Sequence, residues 1–139
     1  MDTDEPRKLV AAAVVVESGK ILIAKRRADG NSPNLWEFPG GKIESGETAE
    51  SCLEREFEEE FLMEIKVGSF LERSNIQTGK NATKLLAYWA TPISQPKELN
   101  AHSELAWVSP DELLDYELAP ADIPIAHSIT RQGLPKPSI

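Results

Sequence analysis

Between Glu37 and Glu60 the chain carries nine glutamates against two basic residues, Lys42 and Arg55. From Thr48 to about Met63 there is neither Gly nor Pro, and Ser45 and Thr48 offer capping oxygens near the start, so this stretch is expected to be a helix. At ~3.6 residues per turn, Glu56, Glu59 and Glu60 stand at i, i+3 and i+4 and share one arc. Leu53 and Phe57 project close to that arc. Glu47, Glu54 and Glu58 point away from it, as a solvated face would. Like charges at this spacing destabilise a helix by a few tenths of a kcal/mol per pair, and partial burial adds to the conflict. A hard divalent cation with oxygen ligands removes it, and Mg²⁺ bound by a few carboxylates plus substrate phosphates suits such a cluster, with Mn²⁺ as an alternative.

The neighbouring residues extend this chemistry. Arg55 is either a surface cation or, as the reading favoured here, a planar donor fork that orients a carboxylate. Gly40 and Gly41 after Pro39 make a tight turn; they also allow a backbone carbonyl to approach a metal and Lys42 to reach a phosphate.

The elements that must hold these groups are legible from patterning. "LVAAAVVVESGKILIAKRR" reads as two strands around a Ser-Gly turn, because β-branched residues are dense and Gly19 is conformationally permissive. "ADGNSPN" reads as a loop, and Leu35 to Phe38 returns to apolar character before Pro39. "IKVGSFLERSNI" and "TKLLAYWATPI" read as two strands joined at Gly79 to Asn81, with "SELAWVS" as a further short strand. Pro110 fits the first turn of a short helix through Leu114, and Asp122 to Gln132 fits a last helix. Strands interleaved with helices imply an α/β layered domain, and the absence of strict alternation argues against a doubly wound parallel sheet.

At 139 residues the chain is one domain, 1–139, with loose ends expected at about 1–6 and 134–139. Its 15 basic and 23 acidic side chains, net charge -8, argue against a nucleic-acid polymer as partner. One cysteine, Cys52, cannot form an internal disulfide, and "MDTDEPRK" opens without a signal pattern, so the cytoplasm is the expected location. The longest apolar run, Leu9 to Val16, is eight residues, against roughly 20 for a membrane span. A monomer or a homodimer is expected.

Taken together, the acidic segment resembles the signature of Nudix hydrolases, G-x5-E-x7-R-E-apolar-x-E-E-x-G-apolar. Gly41, Glu47, Arg55, Glu56, Phe57, Glu59, Glu60 and Met63 fall at its spacings. "LWEFPGGK" before it and "LAPADIPI" near the end resemble the MutT branch and, more closely, bacterial CTP pyrophosphohydrolases. The resemblance implies an α/β/α sandwich around a mixed β-sheet and Mg²⁺-dependent cleavage of a nucleoside triphosphate to the monophosphate and pyrophosphate. It implies Glu56, Glu59 and Glu60 as metal ligands with catalytic roles, the Gly40 carbonyl as a further ligand, and Glu47 and Arg55 as supports of their geometry. Arg26, fourteen residues before Gly40, corresponds to an arginine that reaches the substrate.

Asp122 falls where the MutT branch has a base-reading asparagine and where the CTP-cleaving relatives have aspartate; it is either a base reader or a helix N-cap, and the two can coexist. An ionised carboxylate only accepts hydrogen bonds and suits either the cytosine amino group or the paired donors of guanine. Phe38, Trp36 or Leu118 would pack on the base if not given over to core; Trp89 and Trp107 are assigned to packing, and His127 to a structural or surface role. The resemblance therefore implies CTP, dCTP or 5-substituted dCTP as substrate, with an 8-oxo-dGTP pyrophosphohydrolase or a catalytically silent nucleotide-binding module as alternatives. Two positions depart from the pattern. Leu62 replaces its glycine, so the helix is expected to run on or end differently. Ala101 occupies the place, six residues before Trp107, where relatives often carry a metal-binding or basic glutamate; Glu104 is a candidate substitute, and His102 another, although it reads more simply as a loop histidine.

Overall fold

A computed structural model describes residues 8–30, 33–78 and 81–135. Its centre is strand β1 (Lys8–Glu17), which turns at Ser18 and Gly19 into β2 (Lys20–Arg26). Both turn residues have positive φ, 52° and 79°, the geometry that matches the twist of a two-residue hairpin. The chain continues through two short strands, β3 (Trp36–Glu37) and β4 (Gly40–Lys42), into helix α1 (Ala49–Phe61). A long hairpin of β5 (Ile65–Thr78) and β6 (Asn81–Pro92) follows, then β7 (His102–Val108), the short helix α2 (Pro110–Leu113), a 3-10 turn at Pro120–Asp122 and helix α3 (Ile123–Gln132). Gly79 and Lys80 of the expected turn lie outside the described residues, as do Asn31 and Ser32 of the loop, the expected loose end 1–6, and residues 136–139 of the loose end expected at 134–139.

The sheet is mixed. β1 pairs in parallel with β6, from Lys8 opposite Thr83 to Val15 opposite Ala90. Its other edge is shared, antiparallel, between β4 at the start and β2 at the hairpin end. β2 in turn pairs with β3 and β7, and β5 with β6, all antiparallel.

Side chains alternate across a strand, so β1 feeds two cores at once. Ala11, Ala13 and Val15 meet Cys52, Leu53, Phe57 and Phe61 of α1 on one face. Ala12 and Val14 meet Ile125, Ala126 and Ile129 of α3 on the other. Both faces are therefore covered, which is why the strand reads as one unbroken apolar run. The domain is thus an α/β/α sandwich. Trp89 and Trp107 pack against the two cores as expected, and Leu134, at the start of the tail expected to be loose, packs against the α3 core. Among the described residues no helix is long and apolar enough to cross a membrane.

The acidic helix starts at Thr48, whose hydroxyl accepts from the Ser51 backbone N–H while Ser51 returns a bond to Thr48, a capping box that leaves Ser45 unused. Its end corrects one expectation. Leu62 does not extend the helix: it adopts φ 49°, ψ 49°, the left-handed conformation the pattern's glycine would supply, and its N–H closes on Glu58 and Phe57 carbonyls. The backbone ends as a glycine would end it, with a side chain in a conformation that costs about 1–2 kcal/mol.

Candidate active site

Helix α1 lies against β4, and at that contact a Cβ on Gly41 would stand 2.3 Å from the Glu56 carboxyl carbon, so the carboxylate would have to move. Gly40 is more tightly constrained on its other side, where a Cβ would overlap the backbone carbonyl of Ala11 in β1. The two glycines therefore let a strand pass between the central sheet and a carboxylate. Cys52, buried behind them, directs its thiol to the Gly41 and Lys42 carbonyls at 3.6 and 3.4 Å, and burial pushes that thiol up to about 11.

Arg55 organises the outer half of the cluster. Its Nε and Nη2 donate to the two oxygens of Glu47 at 2.7 and 3.0 Å, a bidentate pair, and Nη1 donates to Glu56 and Glu59 at 3.1 and 3.3 Å. Glu47 is held further by the Glu44 backbone N–H, and these bonds, Arg55 first, bring its carboxyl down to about 2. Glu47 thus belongs to the cluster's support, in the turn before the helix, rather than to the solvated face on which its spacing placed it. Glu54 and Glu58 are exposed as expected. The three helix carboxylates run from inside to outside: Glu56 and Glu60 are 15% and 17% exposed, Glu59 59%. Among the described residues no three acidic, His or Cys side chains already converge on one point, and Arg55 bonds two of the glutamates.

Glu60 lacks such a partner. Burial first, then the bond and charge of Glu56 and the charges of Glu37 and Glu59, raise its carboxyl to about 9. Its Oε1 is buried with no hydrogen-bond partner. The expected loop histidine lies beside it. His102 opens β7, is 4% exposed, and places Nε2 2.7 Å from Glu37 Oε2, while the other oxygen of Glu37 accepts from Arg26 Nε at 2.7 Å. Sequence reading named His102 as a candidate substitute but passed over Glu37; the two are 65 residues apart and meet because β3 and β7 both pair with β2. Glu104, the other candidate substitute, is exposed and pairs with Lys25 at 3.8 Å.

Two hollows meet at Arg26 and Glu37, which line both. One, of about 270 Å³, is bounded by Phe38, Gly40, Gly41, Lys42, Thr83 and Asp122. The other, of about 370 Å³, is bounded by Arg27, Glu60, Ala101 and His102. Asp122 reaches the first because the segment before it runs alongside β3, with Trp36 donating to Glu117 and Ala119 donating to Trp36. It occupies the N-cap position of α3 without capping it: its carboxyl instead meets the Phe38 backbone N–H. Burial, followed by the charge of Glu37, holds that carboxyl well above the usual range. Phe38 lines the cleft with its side chain 2% exposed, and Leu118 is likewise core. Trp36 packs edge-on against Tyr116 at 5.1 Å, under Lys25. His127 is exposed.

A model of the NUDIX domain matches residues 6–129. The chain belongs to the Nudix hydrolase family. This Nudix hydrolase is 35% identical over 129 residues to the CTP pyrophosphohydrolase of Escherichia coli K12, an alignment spanning 93% of this chain and 96% of that protein. The solution structure of the E. coli ORF135 protein superposes with a TM-score of 0.78 at 36% identity, covering 93% of this chain and 94% of that one. A shorter likeness, 46% over 56 residues, links it to the E. coli 8-oxo-dGTP diphosphatase, over 39% of this chain and 43% of that protein.

Proposed function

We propose that this Nudix hydrolase is a divalent-cation-dependent nucleoside triphosphate pyrophosphohydrolase that takes cytidine nucleotides, CTP, dCTP or 5-substituted dCTP, and releases the monophosphate and pyrophosphate. The residues suit the cation: Glu60 carries a buried oxygen without a partner, the Glu56 carboxylate lies where a side chain on Gly41 would displace it, and the donors are the hard oxygens that Mg²⁺ prefers. Glu56, Glu59 and Glu60, with the Gly40 carbonyl, would hold it. When bound, such an ion neutralises phosphate oxygens and lowers the pKa of a coordinated water. The chain's own residues do the rest. Arg55 keeps Glu47, Glu56 and Glu59 in place, Lys42 offers a cation at the rim of the cleft, and Arg26, braced by Glu37 where the two hollows meet, offers another to the phosphates.

The observation that carries the base assignment is Asp122, 4% exposed in the cleft wall, its carboxyl pushed well above the usual range by burial, which favours the protonated form. A protonated carboxyl both donates and accepts. That pairing complements cytosine, whose N3 accepts and whose amino group donates, whereas the adjacent N–H groups of guanine call for an ionised acceptor. The likeness to the E. coli CTP pyrophosphohydrolase supports the same choice. The partial likeness to the 8-oxo-dGTP diphosphatase favours a second reading, an oxidised-guanine cleaner. Pyrophosphate release from CTP, dCTP, 5-methyl-dCTP and 8-oxo-dGTP, with and without Mg²⁺, separates them. Mg²⁺-dependent preference for the cytosine nucleotides is expected; preference for 8-oxo-dGTP would reject the assignment, and binding without release would make the domain a silent module.

A further inference from the structure

Helix α1 ends at Phe61, so Glu59 and Glu60 stand in its last turn. A helix is weakest there, because its final carbonyls have no partner within the helix and the end frays. Glu56 lies a turn earlier, inside the hydrogen-bond ladder. Where the other two carboxylates stand is set first by the peptide units that carry them, and Glu59, with a side chain 59% exposed, has little packing to hold it. One loop supplies the missing donors. The N–H groups of Leu62 and Met63 close on Glu58 and Phe57, and the next four carbonyls are met from Lys97 to Asn100, just before β7. Asn100 Nδ2 donates to the Glu59 carbonyl at 2.9 Å, and its backbone N–H to the Glu60 carbonyl at 3.0 Å. The N–H groups of Lys97 and Glu98 donate to Phe61 at 2.8 and 3.2 Å, and Lys97 Nζ to the Leu62 carbonyl at 3.3 Å. The orientation of the Asn100 amide follows from its partners, since Nδ2 also donates to a Glu98 carboxylate oxygen at 3.0 Å and both partners are acceptors. The Asn100 carbonyl in turn accepts from Arg27 Nη2 at 3.3 Å, which anchors the loop to the wall of the second hollow.

We propose that Asn100 is a positioning residue for the cation site: by fastening the carbonyls of Glu59 and Glu60, one through its side chain and one through its backbone, it fixes where both carboxylates stand. Lys97, on the same loop, fastens the same helix end beyond those glutamates, at Phe61 and Leu62, and brings a cation to a last turn that has none of its own. The inference rests on the metal-dependent reading above.

Alanine at each of the two residues separates positioning from capping, because each loses a side-chain bond to the helix end and only the Asn100 bond lands on a metal-binding glutamate. In the full chain, with Mn²⁺ as the probe and its free concentration followed by electron paramagnetic resonance, Asn100→Ala should weaken Mn²⁺ binding about tenfold, as loss of a hydrogen bond behind a ligand does. The KM for CTP at saturating Mn²⁺ should not change, since Asn100 bounds neither hollow. Lys97→Ala should leave Mn²⁺ binding as it was. Both variants should melt about 3 °C lower, the scale of one hydrogen bond in a domain of this size. Mn²⁺ binding unaltered in Asn100→Ala, or weakened equally in both variants, would overturn the proposal and reduce the loop to an ordinary helix cap. Should Asn100→Ala not fold, the wild-type chain still decides: the Nδ2 protons of Asn100 should exchange slowly with solvent, and more slowly once Mg²⁺ is added, because an ion that binds only the fastened turn suppresses its opening. Exchange that is fast, or indifferent to Mg²⁺, would overturn the proposal. A wild-type chain that binds no Mn²⁺ and cleaves no nucleotide would instead overturn the proposed function, and this inference with it.

Discussion

Glu60→Gln keeps the shape of the side chain and removes its titration, and the environment of Glu60 fixes what that should do. Its carboxyl is at about 9 in the fold against an ordinary 4.5, the charged form being disfavoured by burial and by Glu56, Glu37 and Glu59. A carboxyl raised in this way contributes stability below its unfolded value and loses that contribution as pH rises towards its folded one, because the unfolded chain releases the proton first. At about pH 7 the gap is roughly 2.5 units, or about 3 kcal/mol at ~1.36 kcal/mol per unit. Glutamine does not titrate and escapes the loss. For a domain of this size 1 kcal/mol moves the melting temperature by about 3 °C, so the metal-free variant should melt about 10 °C above wild type near pH 7 and level with it near pH 4.5. Calorimetry or circular dichroism at the two pH values measures this directly. Added Mg²⁺ should stabilise the wild type and leave the variant where it was. A melting difference that is flat between the two pH values, or a variant less stable near pH 7, would mean that Glu60 is ionised and already paired, and the reasoning from burial would fail.

Leu62→Gly relieves a left-handed residue whose side chain is 37% exposed. Against about 1–2 kcal/mol of relief stands about 0.5–1 kcal/mol of added unfolded-chain freedom, so the melting temperature should rise by about 1–2 °C with unchanged hydrolysis; a fall would show that the leucine packs. Gly41→Ala places a Cβ against the Glu56 carboxyl, and turnover should drop about a hundredfold while the melting curve barely moves. Asp122→Asn retains one donor and one acceptor, so it should keep a preference for CTP over 8-oxo-dGTP where Asp122→Ala loses it. As pH rises through the elevated value of Asp122, the wild type loses its donor and its KM for CTP should climb, whereas the KM of the asparagine variant should stay level; parallel pH profiles would refute a protonated Asp122.

Much of the site was legible because its signals are local. Glu56, Glu59 and Glu60 share a helix arc whatever the rest of the fold does, and Gly40-Gly41 marks a close approach without saying to what. Local pattern misplaced Glu47 for the same reason: helical spacing says where a side chain points, not that an arginine eight residues on will reach back with two donors. The end of α1 was misread because glycine is the residue that adopts a left-handed turn without penalty, and here Leu62 adopts it.

What the sequence determined by itself is therefore the sandwich's parts: an apolar strand covered on both faces, a capped acidic helix, a hairpin and the residue types of the site. The tertiary structure alone decided their chemistry. Burial raised the carboxyls of Glu60 and Asp122 above their ordinary range, and the pairing of β3 and β7 with β2 brought Glu37 to His102 across 65 residues. Protonation and long-range pairing depend on solvent exclusion and on neighbours from distant strands, and no spacing rule along the chain encodes either.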